Sequence, residues 1–157
     1  MVDALSRSSR WVQPTQGCVI DLRPADVIGA VEIGLPGSPA SPGSLGSNAG
    51  SVLGVGVLTV QDERRRRYAA ANAAVREVVE SGVLRVTSEQ TFWFYHYPES
   101  PDELRDFIAT KWQQTTLDPE THQRAIDMLA RYPNGRLRLR EHVVIRTLQP
   151  GTARVAR

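Results

Sequence analysis

Extended apolar runs alternate with helical patterns along this chain, and their order restricts the fold more than any single motif does. Extended runs are predicted over 18–22, 31–35, 52–60, 83–97 and 136–148, and helices over 3–12, over 62–81, from Ser100 and from Asp118. The run 18–22 is nearly continuous in apolar character, so a buried strand is expected there. The order strand, hairpin, helix, strand, two helices, strand predicts an α/β fold with a mixed sheet and flanking helices. At 157 residues, the chain is expected to form a single domain over 1–157.

The runs 31–35 and 52–60 predict a β-hairpin with an unusually long tip. Residues 36–51 are rich in Gly, Ser and Pro, so they have little to bury and are expected to form a flexible loop. The segment Gly54-Val55-Gly56 lies between apolar strand residues, and no helix follows it directly. A twisted or bulged strand is therefore the favoured interpretation of these glycines.

Capping signals mark the helix ends. Ser100-Pro101-Asp102-Glu103 is a capping box with proline at the first helical position. Asp118-Pro119 starts the next helix in the same way, and Gly82 is expected to end the helix over 62–81.

Composition excludes several classes of protein. Cys18 is the single cysteine, so an internal disulfide is excluded and a small core residue is expected there. No apolar run approaches the roughly 18 residues that span a bilayer, and Met1-Val2-Asp3 does not begin a signal peptide. A soluble cytoplasmic protein is expected. His96, His122 and His142 lack metal-type spacing, so no metal site is expected.

Several segments carry a resemblance to a known family. They are Ala4-Leu5, the run Arg10-Trp11-Val12-Gln13-Pro14-Thr15-Gln16-Gly17 with the strand and Pro24 that follow, Thr91-Phe92-Trp93-Phe94, and Ser100-Pro101-Asp102-Glu103-Leu104. In order and texture these resemble the C-terminal half of a class I, Rossmann-like S-adenosylmethionine-dependent methyltransferase with an inserted hairpin. The resemblance makes 18–22 the fifth strand of that fold, 91–97 the sixth, and 137–148 an antiparallel seventh strand between them.

The same resemblance implies that the cofactor-binding half is missing. The family binds S-adenosylmethionine with a glycine-rich turn after its first strand and an acidic residue after its second, and no position here matches either. The chain thus resembles a truncated or degenerate methyltransferase that supplies acceptor-side structure and does not bind the cofactor alone. The fifth strand would lack its usual neighbour, so a homodimer through that edge, or a cofactor-binding partner chain, is expected.

The carboxyl ends of the fifth and sixth strands, with the start of the seventh, form a candidate substrate-binding rim. Its residues are Asp21, Arg23, His96, Tyr97, Arg136 and Arg138. A histidine there is suited to act as a general base, and an arginine to hold a carboxylate of the acceptor. The alternative is an aromatic core strand whose polar end meets water.

The last strand also supports a second function. Arg136, Arg138, Arg140, His142 and Arg146 share one side of it. Such a row is typical of a non-catalytic module that binds nucleic acid or another anionic partner. A solvated face is the favoured interpretation. Otherwise, acidic side chains such as Glu89, Glu99 and Asp106 would cover the row.

Overall fold

The computed structural model describes residues 17–26, 28–36 and 51–151. Their elements are β1 (Val19–Pro24), β2 (Ala30–Gly34), β3 (Val52–Val57), β4 (Thr59–Val60), α1 (Asp62–Glu80), β5 (Leu84–His96), α2 (Pro101–Lys111), β6 (Thr115–Thr116), α3 (Pro119–Arg131) and β7 (Arg136–Pro150). The predicted α/β class is confirmed, and the strand pairs among the described residues are antiparallel. The helix expected over 3–12 and most of the loop expected over 36–51 lie outside the described residues.

The chain divides into two compact units. Unit 1 comprises Met1–Ala25, Arg65–Thr91 and Val143–Arg157, and unit 2 comprises Asp26–Arg64 and Phe92–His142. Strands β5 and β7 and helix α1 contribute residues to both units.

In unit 1, β7 lies between β1 and β5. On one edge, β1 pairs antiparallel with β7, from Val19 opposite Leu148 to Pro24 opposite Val143. On the other edge, Gly151 N donates to Val83 O at 2.9 Å, and Thr87 Oγ1 donates to Thr147 O at 3.1 Å. From the first bond to the second, the residue number rises along β5 and falls along β7, so β5 is also antiparallel to β7. The core of the unit consists of Val78, Leu84 and Leu148, with Val19 and Val79 packed against them.

Unit 2 contains the predicted hairpin. Strands β2 and β3 pair antiparallel, β2 also pairs with the first part of β7, and Leu35 N donates to Ser51 O at 3.1 Å beyond the paired residues. The register shifts so that Val31 faces Gly56 while Glu32 faces Gly54. Val55 is therefore the extra residue of a β-bulge, as the glycines predicted. Helices α2 and α3 pack on this sheet through a core that includes Val31, Ile33, Leu104, Ile108, Ala125, Leu137 and Leu139.

The residues predicted to cap the helices lie at the helix ends, as expected. Ser100 Oγ accepts from Glu103 N at 3.1 Å, while Glu103 Oε2 accepts from Glu99 N at 2.6 Å. Asp118 Oδ1 accepts from Thr121 N at 2.8 Å, and this backbone hydrogen bond lowers the pKa of the Asp118 carboxyl. Gly82 has a φ of 74° just after α1, a conformation that glycine adopts without strain.

The expectation of a buried fifth strand is wrong in one respect. Ile20 and Leu22 on β1 are 54% and 59% exposed, and Cys18 is exposed rather than part of the core. Successive side chains of a strand point to opposite faces, and in unit 1 helix α1 covers the face that carries Val19. An apolar run does not reveal whether one face or both are covered.

Candidate functional site

The predicted rim residues fall into two groups. Asp21 and Arg23 belong to unit 1, whereas His96, Tyr97, Arg136 and Arg138 belong to unit 2. On β1, Asp21 pairs with Arg146 of β7. On β7, Arg138 pairs with Glu32 of β2.

In unit 2, arginines of β7 lie over aromatic rings at and just after the end of β5. The guanidinium carbon is 5.6 Å from the ring centroid for Arg136 and Tyr97, 4.8 Å for Arg138 and Tyr95, and 4.4 Å for Arg140 and Trp93. We call these six residues the Arg–aromatic ladder. Each separation is within the range of a cation–π contact, so the rings help to hold the guanidinium groups in place.

Glu32 neutralises part of this ladder. Its Oε2 accepts from Nε and Nη2 of Arg138 at 3.0 and 2.9 Å, and its Oε1 lies 2.9 Å from Nη2 of Arg140. Arg138 is only 6% exposed. The solvated interpretation of the arginine row is therefore wrong at Arg138, because this guanidinium is buried between a carboxylate and a tyrosine ring.

His96 has a different environment from Tyr97. Its ring stacks on Phe107 of α2 with centroids 4.0 Å apart, and its buried Nε2 has no hydrogen-bond partner among the described residues. Tyr97 stacks on Tyr95 with centroids 6.1 Å apart and lies under Arg136. Within unit 2, Tyr97 and Arg136 are therefore in contact, while His96 packs with α2.

In unit 1, Arg146 joins two carboxylates. It donates from Nη1 to Asp21 Oδ2 at 3.2 Å and from Nε to Glu89 Oε2. Burial alone would lower the pKa of Arg146, but the hydrogen bonds with Glu89 and Asp21 raise it above its usual value. Of the three acidic residues expected to cover the arginine row, Glu89 does so by pairing with Arg146. Asp106 instead pairs with Arg105 at 3.5 Å, and Glu99 donates its backbone N–H to Glu103.

Arg23 is the second predicted rim residue of unit 1. Its side chain is 9% exposed, and its Nη2 lies 2.9 Å from Asp21 Oδ2. Asp21 and Arg23 are therefore brought together as an ion pair, and Asp21 is shared with Arg146.

The glycines of β3 do not fit a cofactor turn. A Cβ on Gly56 would lie 2.5 Å from Thr121 Oγ1, whereas a Cβ on Gly54 would meet nothing within 4 Å. Gly56 thus allows α3 to approach the sheet, and neither glycine forms a turn that could hold S-adenosylmethionine. In the described ranges, no group of three or more His, Cys, Asp or Glu side chains is placed to bind a metal ion.

Comparisons with known proteins assign no family or function to this chain. No protein-family model, curated protein or solved structure matches this chain. The helices of the described part of the chain include none with the length and apolar character needed to cross a membrane.

Sequence reasoning missed Glu32, which organises the Arg–aromatic ladder. A signal for it was present, since Glu32 is the one charged residue in the apolar run 31–35. A carboxylate in a buried strand requires a cationic partner, and the period-two arginines of β7 were the available partners. Which arginine faced Glu32 depended on the strand register.

Proposed function

We propose that this chain is a degenerate relative of the class I S-adenosylmethionine-dependent methyltransferases that supplies acceptor-side structure in the cytoplasm. The observation that supports this most strongly is the strand arrangement of unit 1. Strand β7 lies between β1 and β5 and is antiparallel to both. The resemblance requires an antiparallel seventh strand between the fifth and the sixth strands. The cited bonds to β7 come from the part of β5 that precedes residues 91–97, which the resemblance takes as the sixth strand.

The outer edge of β1 is where this proposal places a partner chain. In a complete methyltransferase fold this edge would pair with the fourth strand of the cofactor-binding half. Among the described residues β1 pairs only with β7, and it presents the exposed apolar side chains of Ile20 and Leu22. Unpaired apolar edges associate readily. A second copy of the chain, related by twofold symmetry, would pair the two β1 edges with each other.

Hydrogen exchange tests the edge pairing. The proposal expects slower amide exchange in Val19–Pro24 at high protein concentration than at low concentration. Leu22→Lys should remove that difference, because a lysine on an edge strand opposes pairing. Equal exchange at both concentrations in a sample that stays monomeric would contradict the homodimer.

A thermal melt with and without excess S-adenosylmethionine tests the assignment of cofactor binding to another chain. A ligand at a hundredfold its Kd adds about 2.7 kcal/mol to the free energy of unfolding and raises Tm. The proposal expects a cooperative melt with no shift. A clear upward shift would contradict it by showing a cofactor site within this chain.

A second candidate function is the binding of single-stranded nucleic acid, and the Arg–aromatic ladder favours it. Trp93 is 41% exposed and lies beneath Arg140. Exposed aromatic rings with nearby cations are the usual means of stacking bases and contacting phosphates.

Substitutions in the ladder test this second candidate. Arg136→Gln and Arg140→Gln together should weaken binding to a labelled oligonucleotide and flatten its salt dependence, while Arg138 and Glu32 remain paired. Arg105→Gln, on α2 in the same unit, is the matched control. The same loss in the control variant, or no binding at low salt, would contradict this function.

A further inference from the structure

Unit 1 contains a cleft of about 350 Å³ whose walls come from α1 and strands β1, β5 and β7. The volume is in the range that holds a small organic molecule. The walls are of two kinds: Val75 and Val79 of α1 are apolar, while Arg23, Arg76 and Arg146 are cationic. This combination of apolar surface and guanidinium groups is suited to a molecule with both an apolar body and an anionic group.

Arg23 is a buried residue of the cleft that has unused hydrogen-bond donors. Its side chain is nine-tenths buried, and its Nε and Nη2 make no hydrogen bond within the described part of the chain. The contact of Nη2 with Asp21 Oδ2 is close but lies outside hydrogen-bond geometry. Buried guanidinium donors without acceptors are costly, so they indicate a site at which an acceptor binds.

The charged groups around the cleft are partly paired with each other, but unused donors remain for a ligand. Arg146 engages both Asp21 and Glu89, and Asp21 also pairs with Arg23, whose Nε makes no hydrogen bond among the described residues. Glu80 also lines the cleft, but it is exposed. Arg76 lines the cleft from α1 and is exposed, so it can reach a ligand without first breaking a buried ion pair.

We propose that the unit 1 cleft binds a small organic anion, with a carboxylate or phosphate group held by Arg23 and Arg76 and an apolar body packed against Val75 and Val79. The site lies wholly within unit 1. It does not depend on the methyltransferase resemblance, and it extends the function beyond an acceptor-side scaffold.

Isothermal titration calorimetry with octanoate as the probe tests this site. Octanoate should bind with one molecule per chain. The neutral analogue 1-octanol and inorganic phosphate should each bind at least about tenfold more weakly, because each lacks one of the two recognised parts. Equal binding of octanoate and 1-octanol would overturn the anion site, and equal binding of phosphate would overturn the apolar one.

Substitutions assign the binding to this cleft. Arg76→Gln should weaken octanoate binding by about tenfold with Tm unchanged, since the side chain is exposed. Asn72→Trp fills the cleft without removing a charge and should abolish binding. Arg67→Gln is the matched control, because Arg67 lies nine positions before Arg76, about two and a half turns away on the opposite side of the helix. The same weakening by Arg67→Gln, or full binding by a folded Asn72→Trp variant, would overturn the site.

Discussion

Arg138 and Glu32 face each other across neighbouring strands and form an ion pair in which both side chains are only 8% exposed. Two nitrogens of the guanidinium share one carboxylate oxygen, and the ring of Tyr95 lies below the guanidinium. A pair this well buried contributes little compared with an apolar pair, but each member needs the other. A shift in the register between β2 and β7 would therefore leave both charges buried and unpaired.

The first prediction concerns the loss of one partner. Arg138→Met should lower the free energy of unfolding by about 3 kcal/mol or more, because Glu32 keeps a buried charge with only Arg140 beside it. Urea denaturation measures this change. Glu120→Gln breaks the exposed Glu120–Arg124 pair and should cost at most about 1 kcal/mol. An Arg138→Met variant as stable as Glu120→Gln would contradict the structural role of the buried pair.

The second prediction compares two glycines of the same strand. Gly56→Ala should cost about 1–3 kcal/mol, because the new Cβ would overlap the Thr121 side chain. Gly54→Ala introduces no contact within 4 Å and should be close to neutral. Thermal unfolding of the two variants measures the difference. Equal stabilities would show that α3 does not pack closely on β3.

The third prediction follows from the lowered pKa of Asp118. Since the folded-state pKa lies below the usual value of 3.8, the carboxylate stabilises the fold above that pH, and its contribution is lost as pH falls through the folded-state pKa. Asp118→Ala should cost about 1 kcal/mol at neutral pH, and its deficit relative to the parent should shrink in acid. Asp118→Asn keeps a capping oxygen and is the control. A deficit that does not change with pH would contradict the capping role of the charge.

The fourth prediction concerns Glu141, whose carboxyl pKa is raised rather than lowered. Burial raises the pKa of Glu141 and Asp26 adds to the increase, while Arg64 opposes it. The stability contributed by this group is full below the usual pKa of 4.5 and is lost as pH rises through the folded-state value. Glu141→Gln should therefore raise Tm at neutral pH, and the gain should disappear in acid. A lower Tm at neutral pH would show that Glu141 makes a favourable contact as a carboxylate.

Local signals in the sequence were sufficient for much of the fold. Ser100 and Asp118 marked two helix starts and Gly82 marked a helix end, because capping depends on residues close together in the chain. The glycines of β3 likewise indicated a bulge, and the two runs of the hairpin indicated their own pairing. Each of these features is decided by neighbouring residues or by a single turn.

The candidate site was less predictable because it depends on long-range register. Arg138 meets Glu32 across 106 positions of the chain, and Arg146 meets Asp21 across 125. Nothing local distinguishes these arginines from Arg136, which is exposed. Likewise, Ile20 and Leu22 had the composition of a buried strand, and only the packing of α1 on the opposite face of β1 shows that they are exposed.

Sedimentation velocity of the wild-type chain and of Leu22→Lys tests whether two copies of the chain pair through the outer edge of β1. If the two β1 edges pair, the wild-type chain should sediment as a dimer. Leu22→Lys should sediment as a monomer with an unchanged cooperative melt, since Leu22 is exposed. A wild-type chain that stays monomeric at high concentration, or a Leu22→Lys variant that dimerises as the wild type does, would contradict a homodimer through this edge.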